Sequence, residues 1–132
     1  MKVFVDTSAI YASLAPEDAQ HQAAQQTLHR LAEEDAELVT TNYVLLECAS
    51  LIQKRHGFTP AKRFLTKAGE TLETVWVDSR LQRDAVAIWT KAQSRHLSLV
   101  DCTSFATMRQ AGIRRAFAFD AHFAQHGFSL IP

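Results

Sequence analysis

Four acidic residues stand out because apolar residues flank each of them. Asp6 follows the run KVFV, Glu47 lies within NYVLLECASLI, Asp101 lies within LSLVDCTSFA, and Asp120 follows RAFAF. A carboxylate in apolar surroundings is costly unless it is paired, protonated or bound to a metal. If the four carboxylates converge, their repulsion requires a cation, and oxygen ligands suit Mg²⁺ or Mn²⁺ better than zinc. Such a site activates water for attack on a phosphodiester.

Each of these acids also has a purely structural explanation. Asp6, Asp101 and Asp120 each precede or begin a predicted helix, where an acidic side chain caps free backbone N–H groups. Glu47 is predicted to lie on a helix that is apolar on almost every side, away from solvent. Its alternative role is a buried salt bridge to an arginine from another element. Taken one residue at a time, the sequence leaves these alternatives open.

Histidines and cysteines adjoin the candidate acids. His122 and His126 have the spacing of a helical metal pair, but no HExxH glutamate accompanies them, so zinc is not favoured. Because His122 follows Asp120 by two residues, we expect it near the acidic cluster. Cys48 and Cys102 form no CxxC and are expected to fill the core.

Other phosphate chemistries fit less well. P-loop and GxGxxG patterns are absent. An aspartate-nucleophile phosphatase is the alternative enzyme, but Asp6-Thr7-Ser8 lacks the second aspartate of the DxDx[TS] pattern typical of that class.

Composition restricts the class of protein. A chain of 132 residues fits one domain, and its 47% hydrophobic and 21% charged residues exclude wholesale disorder. Fourteen basic residues balance fourteen acidic ones, so any nucleic-acid contact needs a local patch. The candidate basic patches are Lys54-Arg55, Lys62-Arg63 and Arg114-Arg115. The alternative is that each pair is ordinary charge on the protein surface. No signal peptide or membrane span is indicated, which predicts a cytoplasmic protein with no membrane partner.

Apolar runs and helical periodicities alternate along the chain. Strands are predicted at 2–5, 38–41, 72–77, 115–119 and 128–131. Helices are predicted at 9–14, 17–34, 42–55, 60–68, 79–95, 101–112 and 120–127, with Asn42 capping the third of them. This alternation predicts an α/β domain with a parallel sheet of four or five strands, covered on both faces. Ligands bind such sheets at the carboxyl ends of the strands, where Asp6 and Asp120 lie.

Four segments together resemble a known family. VFVDTSAI, TNYVLLECASL, LSLVDCTSFATM and AFAFDAHFAQHGF are similar, in order and spacing, to the successive motifs of the PIN-domain ribonucleases. The similarity is greatest to small single-domain members, including the VapC-like toxins of type II toxin–antitoxin modules. It covers residues 1–132 as one PIN domain and implies the strand order 3-2-1-4-5.

The resemblance implies a site and an activity. It implies hydrolysis of RNA by metal-activated water at one Mg²⁺ or Mn²⁺ site formed by Asp6, Glu47, Asp101 and Asp120. The hydroxyls expected to assist these acids or their water shell are Ser8 and Thr103 or Ser104. Two alternatives within the resemblance are a non-toxin PIN-like RNA-processing nuclease and a non-catalytic PIN-like binding module. The presence of all four acids does not favour the binding module.

The resemblance also implies protein partners, namely a small antitoxin and a second copy of the chain in a homodimer. An arginine from the antitoxin could pair with the acidic cluster. An apolar groove near the first helices could take an amphipathic segment of the antitoxin. The candidate residues of this groove are Ile10, Tyr11, Leu14 and Val44–Leu45. Each of them could instead be an ordinary residue of the hydrophobic core.

Overall fold

Five parallel strands form one sheet in a computed structural model of the protein, which describes residues 1–131. The strands are β1 (Lys2–Val5), β2 (Glu37–Thr41), β3 (Glu73–Val75), β4 (Arg115–Phe117) and β5 (Ser129–Ile131). Their order is β3-β2-β1-β4-β5, which confirms the predicted fold. Strand β1 lies at the centre and reads as a continuous apolar run because both faces of a parallel sheet are covered. Pro132, the last residue of the predicted domain, lies outside the described residues.

Seven helices connect or follow the strands within the described residues. They are α1 (Thr7–Leu14), α2 (His21–Glu33), α3 (Asn42–His56), α4 (Phe58–Thr71), α5 (Ser79–Ala92), α6 (Leu99–Ala111) and α7 (His122–Gln125). Parallel neighbours require such crossovers, which place the helices over the sheet. In residues 1–131, no helix has both the length and the apolar character that crossing a membrane requires.

A cluster of aromatic side chains anchors α6 and α7 to the central strand. Phe105 of α6 and Phe123 of α7 meet edge to face with their ring centroids 5.0 Å apart. Phe123 also lies 6.3 Å from Phe4 of β1, and all three side chains are fully buried. The ring of His126 also stacks on Phe105, with the ring centroids 4.5 Å apart. This packing holds in place the two helices that follow or carry the candidate acids.

The second helix begins later than predicted, at His21 instead of residue 17. The Asp18 carboxylate accepts a hydrogen bond from the Gln20 backbone N–H at 2.8 Å, which forms a turn that competes with helix. Glu17 instead accepts a hydrogen bond from the Tyr11 hydroxyl at 3.1 Å. The start of this segment is therefore fixed to α1 before α2 begins.

The predicted cap of α3 is wrong by one residue. The Thr41 hydroxyl accepts from the Val44 backbone N–H at 3.1 Å, so Thr41 is the cap. The Asn42 side chain accepts from the backbone N–H of Val77 at 2.7 Å and ties the start of α3 to the chain after β3. Helix α5 ends before its predicted limit because Gln93 adopts a left-handed conformation, with φ 47°. Helix α4 is longer than predicted, and β3, β4 and α7 are shorter.

Removal of the central aromatic ring tests the importance of this cluster. We expect Phe123→Ala to lower the free energy of unfolding by about 3–5 kcal/mol, because it leaves a cavity in a closely packed core. The measurement is urea denaturation followed by circular dichroism. Phe58→Ala is the matched control: Phe58 is 67% exposed, and its loss should have a small effect. Equal losses in both variants would contradict the anchoring role of Phe123.

Candidate metal centre

Asp6 lies at the carboxyl end of β1, where it caps α1. Its Oδ2 accepts hydrogen bonds from the backbone N–H of Ser8 at 3.2 Å and from the Ser8 hydroxyl at 2.7 Å. The same hydroxyl accepts from the backbone N–H of Phe119 at 2.9 Å. Ser8 therefore joins Asp6, which is only 4% exposed, to the chain that follows β4. Asp6 therefore caps α1 and also lies at the carboxyl end of β1, where a ligand site is expected.

Asp101 lies in the first turn of α6 and does not cap it. The cap is Ser98, whose hydroxyl accepts from the Asp101 backbone N–H at 3.0 Å. Hydrogen bonds from Ser98 in turn favour the charged form of the Asp101 carboxyl. The spacing Ser98-x-x-Asp101 is that of a capping box, a pattern that could have located the helix start from the sequence. The Asp101 side chain is thereby held in the first turn of α6 and is 13% exposed.

Asp120 and His122 complete a group with Asp101. The Asp120 Oδ1 accepts from the backbone N–H of His122 at 2.9 Å. The Nδ1 of His122 lies 2.8 Å from that oxygen and 3.9 Å from the Asp101 Oδ2. One possible ligand atom from each of the three residues lies within 4.8 Å of the others. His122 is thus where its spacing from Asp120 predicts.

Glu47 is exposed, contrary to the prediction that it avoids solvent. The buried face of α3 carries Val44, Cys48 and Ile52, whereas Leu46 beside Glu47 is 67% exposed. An apolar neighbour in the sequence therefore did not indicate burial. No ion pair within the described residues includes Glu47, so the alternative role of a buried salt bridge to an arginine is not seen either.

Cys48 connects Glu47 electrostatically with the rest of the site. The pKa of the Cys48 thiol is raised to about 12, chiefly by burial and to a smaller extent by the charges of Glu47 and Asp6. Both carboxylates therefore act on the same buried thiol. Cys48 is fully buried among the core residues, as predicted.

The predicted hydroxyl residues differ in what they contact. Ser8 donates directly to a candidate acid. Thr103 and Ser104 are fully buried, and both donate to the backbone carbonyl of Val100, at 2.6 and 3.3 Å. Their hydroxyls thus bond to their own helix, as is common for such residues inside helices.

Burial and mutual repulsion make the cluster reluctant to hold several negative charges. The pKa of Asp6 is raised to about 6: burial is the main cause, hydrogen bonds from Ser8 partly oppose it, and the Asp101 charge makes a smaller contribution in the same direction as burial. Burial likewise raises the pKa of Asp101, and the nearby Asp120 charge raises it further. A divalent cation would remove this repulsion, and carboxylate oxygens are the ligands that Mg²⁺ and Mn²⁺ prefer.

Two buried polar atoms flank the acids without a hydrogen bond. Among the residues that the structure describes, the buried side-chain nitrogen and oxygen atoms that lack a hydrogen bond are the Thr7 Oγ1 and the His122 Nδ1. Thr7 follows Asp6 directly, and His122 follows Asp120 by two residues. A buried polar atom without a partner costs free energy. The His122 nitrogen lies within ion-pair distance of two carboxylates, and the three groups together could hold a cation.

Residues 3–129 match the family model of the PIN domain. The chain belongs to the PIN-domain family, which confirms the family expected from its four motifs. The fold and the acidic group at the carboxyl ends of β1 and β4 agree with this assignment.

Particular relatives extend the comparison. The chain is 35% identical over 130 residues to a Mycobacterium tuberculosis protein named 23S rRNA-specific endonuclease VapC20, with 96% of this chain and 95% of the relative covered. The crystal structure of VapC20, described as a Sarcin-Ricin loop cleaving toxin, has a TM-score of 0.84 at 33% identity, with coverage of 96% and 95%. FitAcB from Neisseria gonorrhoeae shares the fold, with a TM-score of 0.67 at 16% identity over 100% of this chain and 97% of the other.

The raised pKa of Asp6 predicts a pH dependence of stability in the metal-free protein. Its folded-state pKa of about 6 exceeds the unfolded value of about 3.9, so the folded state binds more protons between these values. The free energy of unfolding should therefore fall by up to about 3 kcal/mol as the pH rises from about 4 to about 7.

Asp6→Asn should lack this component, since asparagine keeps the cap but carries no proton that titrates. The measurement is urea denaturation in EDTA at several pH values, with the exposed Asp84→Asn as the matched control. At neutral pH, Asp6→Asn should be at least as stable as the wild type. Parallel pH profiles for the wild type and Asp6→Asn would contradict the prediction.

Proposed function

We propose that this protein is a metal-dependent endoribonuclease and the toxin of a toxin–antitoxin pair. The observation that carries the proposal is the convergence of Asp101, Asp120 and His122 beside Asp6, at the carboxyl ends of β1 and β4 of a PIN domain. Similarity over nearly the full chain to a protein named an endonuclease and described as a toxin supports both parts of the proposal.

The proposed ligands of the cation are Asp6, Asp101 and Asp120, with Glu47 completing the set from the exposed side of α3. When bound, Mg²⁺ or Mn²⁺ would activate water and neutralise the charge that develops on the phosphodiester. Ser8 would keep the Asp6 carboxylate oriented through its two hydrogen bonds. Ser98 would do the same for Asp101 by holding the first turn of α6. The aromatic cluster behind α6 and α7 would exclude water from the inner side of the site.

The proposed substrate is a structured loop of 23S ribosomal RNA. This choice comes from the similarity, over nearly the full chain, to VapC20, which is named a 23S rRNA-specific endonuclease and described as a Sarcin-Ricin loop cleaving toxin. Because the net charge is zero, phosphate contacts must come from local basic residues. Arg55 is less available for phosphate contacts, because its guanidinium already lies over the Tyr11 ring, 5.0 Å from the ring centroid. Lys54 and Lys62 are exposed and stay candidates for phosphate contacts.

Cleavage assays test the activity and the target together. We expect Mn²⁺ or Mg²⁺ to support cleavage of an RNA hairpin that carries the sarcin–ricin loop, and EDTA to abolish it. Asp6→Asn and Asp101→Asn should each reduce the rate by about 100-fold or more, because each removes a ligand charge at the reacting phosphate. Asp84→Asn, an exposed aspartate on α5, is the matched control and should retain the wild-type rate.

The control for the RNA target is a hairpin of equal length whose loop sequence is scrambled. This hairpin should be cleaved much more slowly than the hairpin that carries the sarcin–ricin loop. Equal cleavage of both hairpins would contradict the target but not the nuclease. Metal-independent cleavage, or full activity of Asp101→Asn, would contradict the proposed site.

A surface groove fits the antitoxin implied by the toxin role. A cavity of about 590 Å³ is lined mainly by apolar side chains of α1 to α4, among them Ile10, Leu14, Leu28, Ile52 and Phe64. Arg63 and Lys67 place two positive charges on its α4 side. We propose that an amphipathic helix of the antitoxin, with acidic residues along one edge, occupies this groove.

The second partner implied by the resemblance, another copy of the chain in a homodimer, remains a prediction.

Part of the predicted partner surface is wrong. Val44 is fully buried in the core, and neither Val44 nor Leu45 lines the groove. Tyr11 is 5% exposed, and its hydroxyl contacts Glu17 and the His56 Nε2 at 3.1 and 3.0 Å. It therefore stabilises the rim of the groove instead of offering a free apolar face. The apolar appearance of α1 and α3 in the sequence did not distinguish core from groove.

Reversal of polarity in the groove tests the partner. Leu14 is 53% exposed in the groove, and Leu14→Glu should abolish copurification with the proposed antitoxin when the two are coexpressed. Cleavage of the hairpin should be unchanged, because Leu14 is not a proposed ligand. Leu65→Glu is the matched control, since Leu65 is 51% exposed but lies outside the groove. Loss of copurification in both variants, or in neither, would contradict the groove as the docking site.

A further inference from the structure

We infer that His122 is itself a ligand of the cation, through Nδ1, and that this nitrogen makes the centre bind Mn²⁺ in preference to Mg²⁺. The inference deepens the proposed function and rests on it, because it concerns the same site. It adds a nitrogen to a set of ligands that is otherwise all oxygen.

The distances around Nδ1 fit a shared ion. Nδ1 lies 2.8 Å from the Asp120 Oδ1 and 3.9 Å from the Asp101 Oδ2. An octahedral ion with ligand distances of about 2.1 Å separates neighbouring ligands by about 3 Å. Small rotations of the side chains would therefore place all three atoms around one ion.

The Nδ1 of His122 lies within ion-pair distance of both carboxylates, without a well-aligned hydrogen bond to either. Nδ1 is buried and has no hydrogen bond of acceptable alignment, even to the Asp120 oxygen 2.8 Å away. That oxygen already accepts from the His122 backbone N–H at 2.9 Å. A proton on Nδ1 can pair with these carboxylates in the metal-free protein, and a cation bound among the three groups would take the place of that proton. The arrangement is favourable once an ion is bound.

The imidazole is held in place by the packing of its own short helix. Phe123, the next residue, is fully buried against Phe105 and Phe4. One turn later, His126 stacks on Phe105 at 4.5 Å. These contacts hold both ends of the α7 turn, so the backbone that carries His122 is fixed relative to the two carboxylates. A ligand held in advance loses little conformational entropy when the ion binds.

The identity of the donor atom leads to the metal preference. Both ions bind carboxylate oxygens, but Mg²⁺ binds almost only oxygen and gives up its water slowly, whereas Mn²⁺, a transition-metal ion, accepts an imidazole nitrogen more readily than Mg²⁺ does. Loss of the imidazole should therefore weaken Mn²⁺ binding much more than Mg²⁺ binding. A role in packing alone would not discriminate between the two ions.

Direct metal binding to the full chain tests the inference. Calorimetric titration of EDTA-treated protein with Mn²⁺ or Mg²⁺ should show that His122→Phe weakens Mn²⁺ binding about tenfold or more, with a smaller effect on Mg²⁺. Electron spin-echo measurements on the bound Mn²⁺ should detect coupling to an imidazole nitrogen in the wild type and lose it in His122→Phe. His126→Phe is the matched control, because a phenyl ring can keep the stacking on Phe105.

A second variant keeps the test valid if His122→Phe does not fold. His122→Asn offers an oxygen to the ion but no imidazole, so the nitrogen coupling should again disappear. Nitrogen coupling that persists in both His122 variants, or unchanged Mn²⁺ affinity in His122→Phe, overturns the inference and leaves the proposed nuclease intact. A wild type that binds neither ion overturns the inference together with the proposed metal-dependent function.

Discussion

The carboxylate of Asp6 lies almost out of contact with water at the end of the central strand, and the site is built around that constraint. Hydrogen bonds from Ser8 compensate part of its lost hydration, and the Ser8 hydroxyl also accepts from Phe119. One hydroxyl therefore couples the β1–α1 junction to the chain after β4. Since Asp120 follows Phe119, the pairing of β1 with β4 also determines how far Asp120 lies from Asp6.

Apolar packing opposes the repulsion among the acids. Burial and neighbouring charge raise the pKa of Asp6 and Asp101, so the metal-free site destabilises the fold when both are ionised. Phe105 and Phe123 lie on the same two helices that carry Asp101 and His122, and both are fully buried. The interactions that stabilise α6 and α7 thereby hold these side chains where a cation can bind them together.

The groove and the acidic site are close neighbours along the chain. Val5 and Ile10 line the groove, and Asp6 lies between them in sequence and caps the helix that carries Ile10. A partner segment seated on α1 would therefore lie within a few residues of the proposed ligands. This placement gives a physical basis for one antitoxin segment to fill the groove while an adjoining arginine pairs with the carboxylates.

The sequence alone determined the α/β class, the central apolar strand and the place of Asp6 and Asp120 after their strands, because local periodicity and strand ends are encoded by neighbouring residues. It also indicated that His122 lies near Asp120. Only the tertiary structure decided that Glu47 is exposed, that Tyr11 supports a groove rim, and that His122 also reaches Asp101. The periodicity of a helix shows which residues share a face, but packing against other elements determines which face is covered.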